Sequence, residues 1–200
     1  DNDVFGNARL FAMQQYRDFL SREGDTGGIA YWIAQLAGPQ TRAQAIQGFF
    51  NSPEFQGVIA PVARLYFANF LRYPDYVGLQ FHVARSRTGT ALDVIANDFA
   101  TSPEFVGRYG ALTNDAFIEL GYQNVLGRPS DPVGKAYWLA QMSAGSTRGQ
   151  VMLGFSESPE YVAAIGNEVF ITMMYVGMLR RAPDPVGFPY WLTQLDGGTS

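Results

Sequence analysis

The chain has no cysteine and only one histidine among its 200 residues. Without cysteine it can form no disulfide, thiolate metal site or cysteine-based catalytic centre. No run of 18 or more apolar residues occurs, which excludes a membrane-spanning apolar helix. The net charge of −4 gives no electrostatic footprint for nucleic acid, and it disfavours binding to anionic membranes.

What the chain does contain is a motif of eleven residues that occurs four times. The copies read REGDTGGIAYW, RYPDYVGLQFH, RPSDPVGKAYW and RAPDPVGFPYW. Asp follows the first Arg by three residues, Gly by six and Tyr or Phe by nine, and Trp comes last except where His82 replaces it. The aspartates, at positions 25, 75, 131 and 184, are separated by 50, 56 and 53 residues. Such a period is typical of stacked supersecondary units with a shared core.

Each motif lies within a longer repeat. A Tyr precedes each motif Asp by nine residues, at Tyr16, Tyr66, Tyr122 and Tyr175. A Thr follows it by 15 or 16 residues, at Thr41, Thr90, Thr147 and Thr199. A Ser-Pro-Glu-aromatic string closes three copies, beginning at Ser52, Ser102 and Ser158. The last copy stops at Ser200, and we expect the chain to be a fragment of a longer array, cut inside its last unit.

The apolar periodicity predicts helices throughout. Apolar residues recur at nearly helical spacing from Phe5 to Ser21, and a second apolar face follows the motif Asp. We expect this second helix to end near Gly38, and its counterparts near Gly145 and Gly197, where a left-handed C-cap costs little. Because no alternating pattern of strands competes, we predict an all-α fold. It consists of four tandem helical repeats of about 50 residues, stacked into a compact array with a truncated last repeat.

Polar residues at fixed positions predict where the helices begin. The motif aspartates are placed as N-caps, and proline follows two of them at the favoured first helical position, as Pro132 and Pro185. Two further starts match capping boxes, formed by Thr41 with Gln44 and by Thr147 with Gln150. In each Ser-Pro-Glu string, Ser is placed as the N-cap, Pro at the first position and Glu near the positive helix end.

The repeats divide the chain into two parts with a seam at residues 108–113. Residues 1–107 hold repeats 1 and 2, and residues 108–200 hold repeats 3 and 4. The linkers are short and none has low complexity, so we expect one continuous module.

Two roles are open for the motif aspartates, Asp25, Asp75, Asp131 and Asp184. They could bind calcium, which prefers carboxylate and turn carbonyl oxygens, although each loop offers only one carboxylate. As helix caps they would stabilise the fold by about 1 kcal/mol each. The motif arginines, Arg22, Arg72, Arg128 and Arg181, are expected near the end of the preceding helix and within reach of these aspartates.

The aromatic pairs Tyr31-Trp32, Tyr137-Trp138 and Tyr190-Trp191 are the candidate ligand-binding residues. Adjacent helical residues point about 100° apart, so both members cannot lie at the centre of one face. We expect one member to anchor the core and the other to lie at a groove rim, where a ring could stack on a sugar. His82 replaces the Trp, and with no nucleophile or paired carboxylate beside it we predict no catalytic residue.

The pattern Tyr-x5-Arg-x2-Asp-x2-Gly-x2-Tyr-Trp, with its Ser-Pro-Glu-aromatic string, covers Phe11 to Gly198. It resembles the bacterial domain-of-unknown-function family 4214. A more distant likeness is to S-layer regions that attach to lipopolysaccharide and to phycobilisome linker domains. Domains of this family occur in large secreted or surface-exposed bacterial proteins, often beside calcium-binding glycine-rich repeats. The resemblance therefore implies an extracellular or cell-surface location, and it carries over no catalytic residue.

From this resemblance and the aromatic pairs we expect a non-catalytic module for adhesion, anchoring or assembly. Its ligand would be a bacterial surface polysaccharide or lipopolysaccharide, with calcium as the one cofactor to consider. The alternative is a structural or protein-interaction array without a small ligand, whose partner is another surface protein. An enzyme acting on glycans would need two carboxylates facing each other across a cleft.

Overall fold

A computed structural model describes residues 4–198, so Thr199, which the repeat pattern singles out, lies outside the described residues. Between residues 4 and 198 the structure is made of helices and turns without a strand, which confirms the all-α prediction. No helix in this range is long and apolar enough to cross a membrane. The helices are α1 (Ala8–Leu20), α2 (Thr26–Ala37), α3 (Arg42–Phe50), α4 (Ala60–Phe70), α5 (Tyr76–Arg87), α6 (Leu92–Ala100), α7 (Pro103–Tyr109), α8 (Asn114–Gly121), α9 (Pro132–Ser143), α10 (Arg148–Ser156), α11 (Pro159–Ala164), α12 (Gly166–Met173) and α13 (Gly187–Asp196).

The same order of helices recurs in each unit. A first helix carries the repeated Tyr, a second begins at the motif, and a third leads to the Ser-Pro-Glu string. Unit 1 contains α1 to α3, unit 2 α4 to α7 and unit 3 α8 to α11, while unit 4 contributes α12 and α13. Three π-helical turns extend the first helices, one before α4 and one after each of α8 and α12, at Phe55–Ile59, Tyr122–Leu126 and Met174–Met178.

The helix starts follow the predicted capping residues in most places. The side chains of Asp25, Asp75 and Asp131 cap α2, α5 and α9. Pro132 occupies the first turn of α9, as predicted. The predictions for Asp184 and Pro185 are wrong, because α13 begins at Gly187 with Val186 at its N-cap position and without a side-chain cap, after a turn that contains the proline.

The caps predicted at the third helices and at the Ser-Pro-Glu strings are present as well. The side chains of Thr41 and Thr147 form full capping boxes with Gln44 and Gln150. Each Ser of the Ser-Pro-Glu strings accepts a hydrogen bond from the amide three residues on, at 3.1–3.2 Å, for Ser52, Ser102 and Ser158. In unit 2 the helix α6 starts after Ala91 without a side-chain cap.

The second helices end near Gly38, Gly145 and Gly197 as predicted, but a left-handed residue is present at only one of these glycines. Gly145 has φ 105°, but Gly38 and Gly197 have φ −93° and −78°, so these two need no glycine conformation. Left-handed residues instead end every first helix, immediately before the motif Arg, at Ser21, Leu71, Gly127 and Arg180. This local reversal turns the chain from the first helix into the motif.

The first helix also starts later than the apolar pattern indicates. Asn7 caps α1 by accepting hydrogen bonds from the amides of Arg9 and Leu10, so the helix begins at Ala8. Phe5 lies in the preceding turn, where its ring packs 6.3 Å from that of Phe11. A side-chain oxygen that satisfies two free amides fixes the helix start more strongly than apolar spacing does.

One continuous core joins all four units. It is centred on α4, which is buried over almost its whole length. The proposed seam at residue 108 falls inside α7, and α6 of unit 2 packs directly on α10 of unit 3. Units 1 and 4 also meet, since Phe50 and Phe170 are 5.0 Å apart between ring centroids. The units therefore close on one another, unlike a linear solenoid in which each contacts only its neighbours.

Candidate functional site

Units 1 and 2 have a small crevice at the same place, which we call the unit crevice. In unit 1 its volume is about 350 Å³, and its lining includes Tyr16, Leu20, Arg22, Trp32 and Phe49. In unit 2 its volume is about 190 Å³ and its lining includes the corresponding residues, Tyr66, Phe70, Arg72, His82 and Phe99. The first helix, the motif and the third helix of a unit thus converge on one point.

The repeated Tyr explains the repeated motif Gly. Its hydroxyl lies against the glycine backbone, so a Cβ added there would be 1.9–2.3 Å from the hydroxyl oxygen in all four units, at Gly28, Gly78, Gly134 and Gly187. Any larger residue would push the Tyr out of the crevice. Burial, and next the charge of the motif Asp, raise the pKa of the hydroxyl at Tyr16, Tyr66, Tyr122 and Tyr175.

Tyr66 makes this burial measurable in alkali, because its pKa is raised to about 12. The stability that comes from burying the protonated hydroxyl of Tyr66 is fully present below about pH 10, the pKa of an unfolded Tyr. It is lost as the pH rises from about 10 to 12. Over that window the free energy of unfolding should fall by up to about 1.4 kcal/mol per pH unit from this group. Urea titrations at several pH values should therefore give a shallower decline for Tyr66→Phe than for the unmodified chain; parallel declines would contradict the prediction.

The motif Arg holds the crevice together by two kinds of contact. Its guanidinium lies 4.7–5.5 Å from the ring centroid of the repeated Tyr in every unit, a cation–π distance. In unit 1, Arg22 also donates two hydrogen bonds to Glu54, both at 2.7 Å. Arg72 does the same to Glu104 in unit 2, at 2.7 and 2.9 Å. These bonds hold the pKa of both glutamates below its usual value.

The Ser-Pro-Glu glutamate is therefore the principal partner of the motif Arg in units 1 and 2, and the motif Asp is the weaker one. Arg22 and Arg72 are 3.8 and 4.0 Å from their aspartates. The prediction of an Arg–Asp pair is confirmed in units 1, 2 and 4, with the shortest distance, 3.3 Å, between Arg181 and Asp184, but it missed the glutamates. A sequence signal was present, because Arg precedes Glu by 32 residues in all three complete copies, at positions 22, 72 and 128. In unit 3 the pair Arg128–Glu160 is looser, at 3.6 Å.

The Tyr-Trp pairs are divided between core and surface. Trp32 is half-buried and stacks on Phe49, with ring centroids 4.6 Å apart, and Trp138 packs on Phe155 at 5.1 Å. Glycines make room for both rings, since a Cβ at Gly48 or Gly154 would meet the indole. The inner member of these two pairs is therefore Trp.

The outer member is exposed in every unit. Tyr31, Tyr137 and Tyr190 are 55%, 54% and 56% exposed, and Phe81 at the same motif position in unit 2 is 59% exposed. Trp191 of unit 4 is the exception among the tryptophans, because it is exposed as well. The structure thus brings each exposed ring to the same face of a motif helix.

His82 takes the packing position of the Trp. Its ring lies 4.6 Å from Phe99 and 6.2 Å from Tyr66 between centroids. Burial, followed by the nearby charge of Arg85, lowers the pKa of His82. The neutral imidazole therefore serves as a smaller core ring in the second unit.

Each motif aspartate accepts a hydrogen bond with one carboxylate oxygen, as a helix cap in units 1 to 3 and within the turn before α13 in unit 4. Oδ1 accepts from the motif Gly amide at 2.6–2.8 Å in all four units. This bond is the main reason why the pKa is lowered at Asp25, Asp131 and Asp184. No three His, Asp or Glu side chains between residues 4 and 198 group where they could hold a metal ion. The adjacent guanidinium also disfavours a cation, while calcium binding itself stays an untested prediction.

The comparison with family models agrees with this repeated geometry. The family described as "Domain of unknown function (DUF4214)" matches residues 6–59, 96–165 and 161–200. The chain belongs to the DUF4214 family. The matched segments leave out residues 60–95, which carry the motif copy with His82. No curated protein and no solved structure matches the chain.

Proposed function

We propose that this DUF4214 chain is a non-catalytic glycan-binding module of a bacterial extracellular or cell-surface protein. The observation that carries the proposal is the exposed ring at one motif position of each unit, at Tyr31, Phe81, Tyr137 and Tyr190. The flat apolar face of such a ring matches the C–H face of a pyranose, and the hydroxyl of the three tyrosines could contact sugar hydroxyls. The expected ligand is a surface polysaccharide or lipopolysaccharide.

Polar groups for a sugar lie one helical turn from three of these rings. Residues four apart are neighbours on a helix surface, and Gln35, Gln141 and Gln194 follow Tyr31, Tyr137 and Tyr190 at that spacing. An amide both donates and accepts, as a sugar hydroxyl does. In unit 1 an open depression of about 500 Å³ adjoins this place, lined by Gln35, Pro39, Gln40 and Gln44.

Unit 2 departs from this arrangement. Arg85 replaces the glutamine, lies 5.6 Å from the centroid of the exposed Phe81 ring and pairs with Asp98 at 2.6 Å. Its guanidinium already covers the ring that a sugar would need. We therefore assign sugar binding to units 1, 3 and 4.

Replacing Tyr31, Tyr137 and Tyr190 together by alanine should weaken binding to isolated bacterial surface polysaccharide by at least about tenfold, since each stacked ring contributes about 0.5–1.5 kcal/mol. The measurement is co-sedimentation over a range of polysaccharide concentrations, run in calcium and again in chelator. The matched control replaces three other exposed motif residues, Val77, Val133 and Val186, by alanine. Each of them follows its motif Asp by two residues. This control should bind like the unmodified chain.

Unchanged binding of the triple tyrosine variant would overturn the assignment of these rings. Loss of binding in chelator would assign calcium to the motif aspartates despite their role as caps. Absence of saturable binding under both conditions would favour the second candidate, a protein-interaction array. That candidate is supported by one observation of its own, an apolar groove on unit 4.

A further inference from the structure

An apolar groove of about 520 Å³ lies between α12, its π-helical extension and α13 in unit 4. Its lining is almost entirely apolar and includes Ile171, Met174, Leu179, Trp191 and Leu195. Trp191 is 51% exposed here, whereas Trp32 and Trp138 pack against the core. The groove thus exposes side chains that the other units cover.

The unit 4 groove corresponds to the unit crevice of unit 1, but no third helix covers it between residues 4 and 198. Tyr175, Leu179, Arg181 and Trp191 hold the positions that Tyr16, Leu20, Arg22 and Trp32 hold in unit 1, counted from the motif Asp. In both units these four residues line the cavity. The difference is the third helix.

In the other units a ring of the third helix fills this place. Phe49 of α3 lies 4.9 Å from Tyr16 and 4.6 Å from Trp32 between ring centroids. Phe155 of α10 lies 5.0 Å from Tyr122 and 5.1 Å from Trp138 in the same way. Between residues 4 and 198, unit 4 has no third helix to supply such a ring.

We propose that the unit 4 groove binds a helix with the sequence pattern of α3 and α10, supplied by a polypeptide segment outside residues 4–198. The two helices and their caps share Thr-Arg-x-Gln-x3-Gly-Phe, as TRAQAIQGF from position 41 and TRGQVMLGF from position 147. The Phe would enter between Tyr175 and Trp191, and the Gly before it would let the indole approach. This proposal does not depend on glycan binding.

Charge adds to the specificity of this site. In units 1 and 2 a Ser-Pro-Glu string after the third helix supplies the carboxylate that pairs with the motif Arg. Arg181 is half exposed and pairs with Asp184 at 3.3 Å, so it is accessible to a second carboxylate. The segment that fits is therefore an amphipathic helix with the Gly-Phe pair, followed by Ser-Pro-Glu.

A second copy of this chain is a poor source of the helix. Its α3 and α10 already fill their own units, where Phe49 and Phe155 are almost completely buried. Releasing either helix would expose its Phe to water and leave a cavity in its own unit, which is unfavourable. The groove is thus assigned to a separate segment of the same pattern.

The probe is a synthetic peptide with the sequence of residues 147–161, TRGQVMLGFSESPEY, added to the 200-residue chain. Isothermal titration calorimetry should show saturable binding of one peptide per chain, and the melting temperature should rise with peptide concentration. A peptide with Phe155→Ala should bind at least about tenfold more weakly, because the buried ring carries most of the contact.

Variants of the protein locate the site. Trp191→Ala should weaken peptide binding at least about tenfold, whereas Val186→Ala, an exposed change in the same unit, should leave it unchanged. Equal affinities for the two peptides, or undiminished binding to Trp191→Ala, would overturn the proposal. So would a concentration-dependent dimer that excludes the peptide, since a second copy would then cover the groove. The glycan assay uses neither peptide nor Trp191→Ala, so the two proposals fail separately.

Discussion

Glu157→Ala is expected to lower the free energy of unfolding by about 3–5 kcal/mol, because it leaves a buried charge without a partner. Arg64 on α4 is only 4% exposed, and it donates hydrogen bonds to both carboxylate oxygens of Glu157, at 2.9 and 2.6 Å. The two residues are 93 positions apart and tie the central helix to the end of α10. Removing the carboxylate therefore weakens a contact between units 2 and 3.

The measurement is urea unfolding followed by circular dichroism, with Glu23→Ala as the matched control. Glu23 also forms a two-bond ion pair, with Arg17, but both side chains are exposed to solvent. Because exposed pairs contribute about 0–1 kcal/mol, the control should lose little stability. Similar losses in the two variants would show that Arg64 gains solvation when its partner is removed.

A second comparison separates the pair from its packing. Replacing Arg64 and Glu157 together by methionine removes both charges and keeps apolar volume at the site. Such double replacements of buried pairs are often neutral or stabilising. We therefore expect the double variant to be more stable than Glu157→Ala.

The local parts of this fold were predictable from the sequence because they depend on residues a few positions apart. The caps at Asp25, Asp131 and Thr41 each satisfy an amide two or three residues on, and each recurs at one place in the repeat. Where a local rule failed, another local contact was stronger. The amides that Asn7 satisfies moved the start of α1 away from Phe5.

The long-range parts were not predictable in the same way. Which member of the Tyr-Trp pair turns inward depends on Gly48 and Gly154 of another helix, whose missing side chains admit the indole. The contact of Phe50 with Phe170 depends on how units 1 and 4 pack together, and no residue spacing in the sequence predicts it. The contact between the motif Arg and the Ser-Pro-Glu glutamate is different, because the repeat itself indicates it. The same interval of 32 residues separates Arg22 from Glu54, Arg72 from Glu104 and Arg128 from Glu160.

In the unit 4 groove, the repeat pattern predicts which residues line the site but does not predict what the site binds. The positions of Tyr175 and Trp191 are given by the repeat, but only the packing of Phe49 and Phe155 in units 1 and 3 shows what those positions bind. The exposed Tyr190 differs, because the equivalent rings Tyr31 and Tyr137 are also exposed and do not show what this position binds. Contacts within this chain therefore support the helix site, whereas ring exposure and chemistry support the glycan site.

Gly149→Ala is expected to lower the free energy of unfolding by about 3 kcal/mol, the upper end of the range of about 1–3 kcal/mol that overpacking typically costs, because the contact is with backbone atoms. A Cβ at Gly149 would lie 2.2 Å from the backbone nitrogen of Asn97 and 2.5 Å from its Cα. Backbone atoms of α6 cannot rotate away as a side chain can, so α6 and α10 would have to separate. The matched control is Gly107→Ala in α7, where no atom lies within 4 Å of the added Cβ.

The control should gain up to about 1 kcal/mol, because alanine is the better helix former. Urea unfolding of the two variants measures the difference, and overlapping curves would contradict the close approach of α6 and α10.

The shape of the unfolding curve of Gly149→Ala shows whether the two parts of the chain unfold together. Since α6 belongs to residues 1–107 and α10 to residues 108–200, one cooperative transition at lower urea is expected if both parts depend on a shared core. Two separate transitions in Gly149→Ala would instead show that each part is stable without the other.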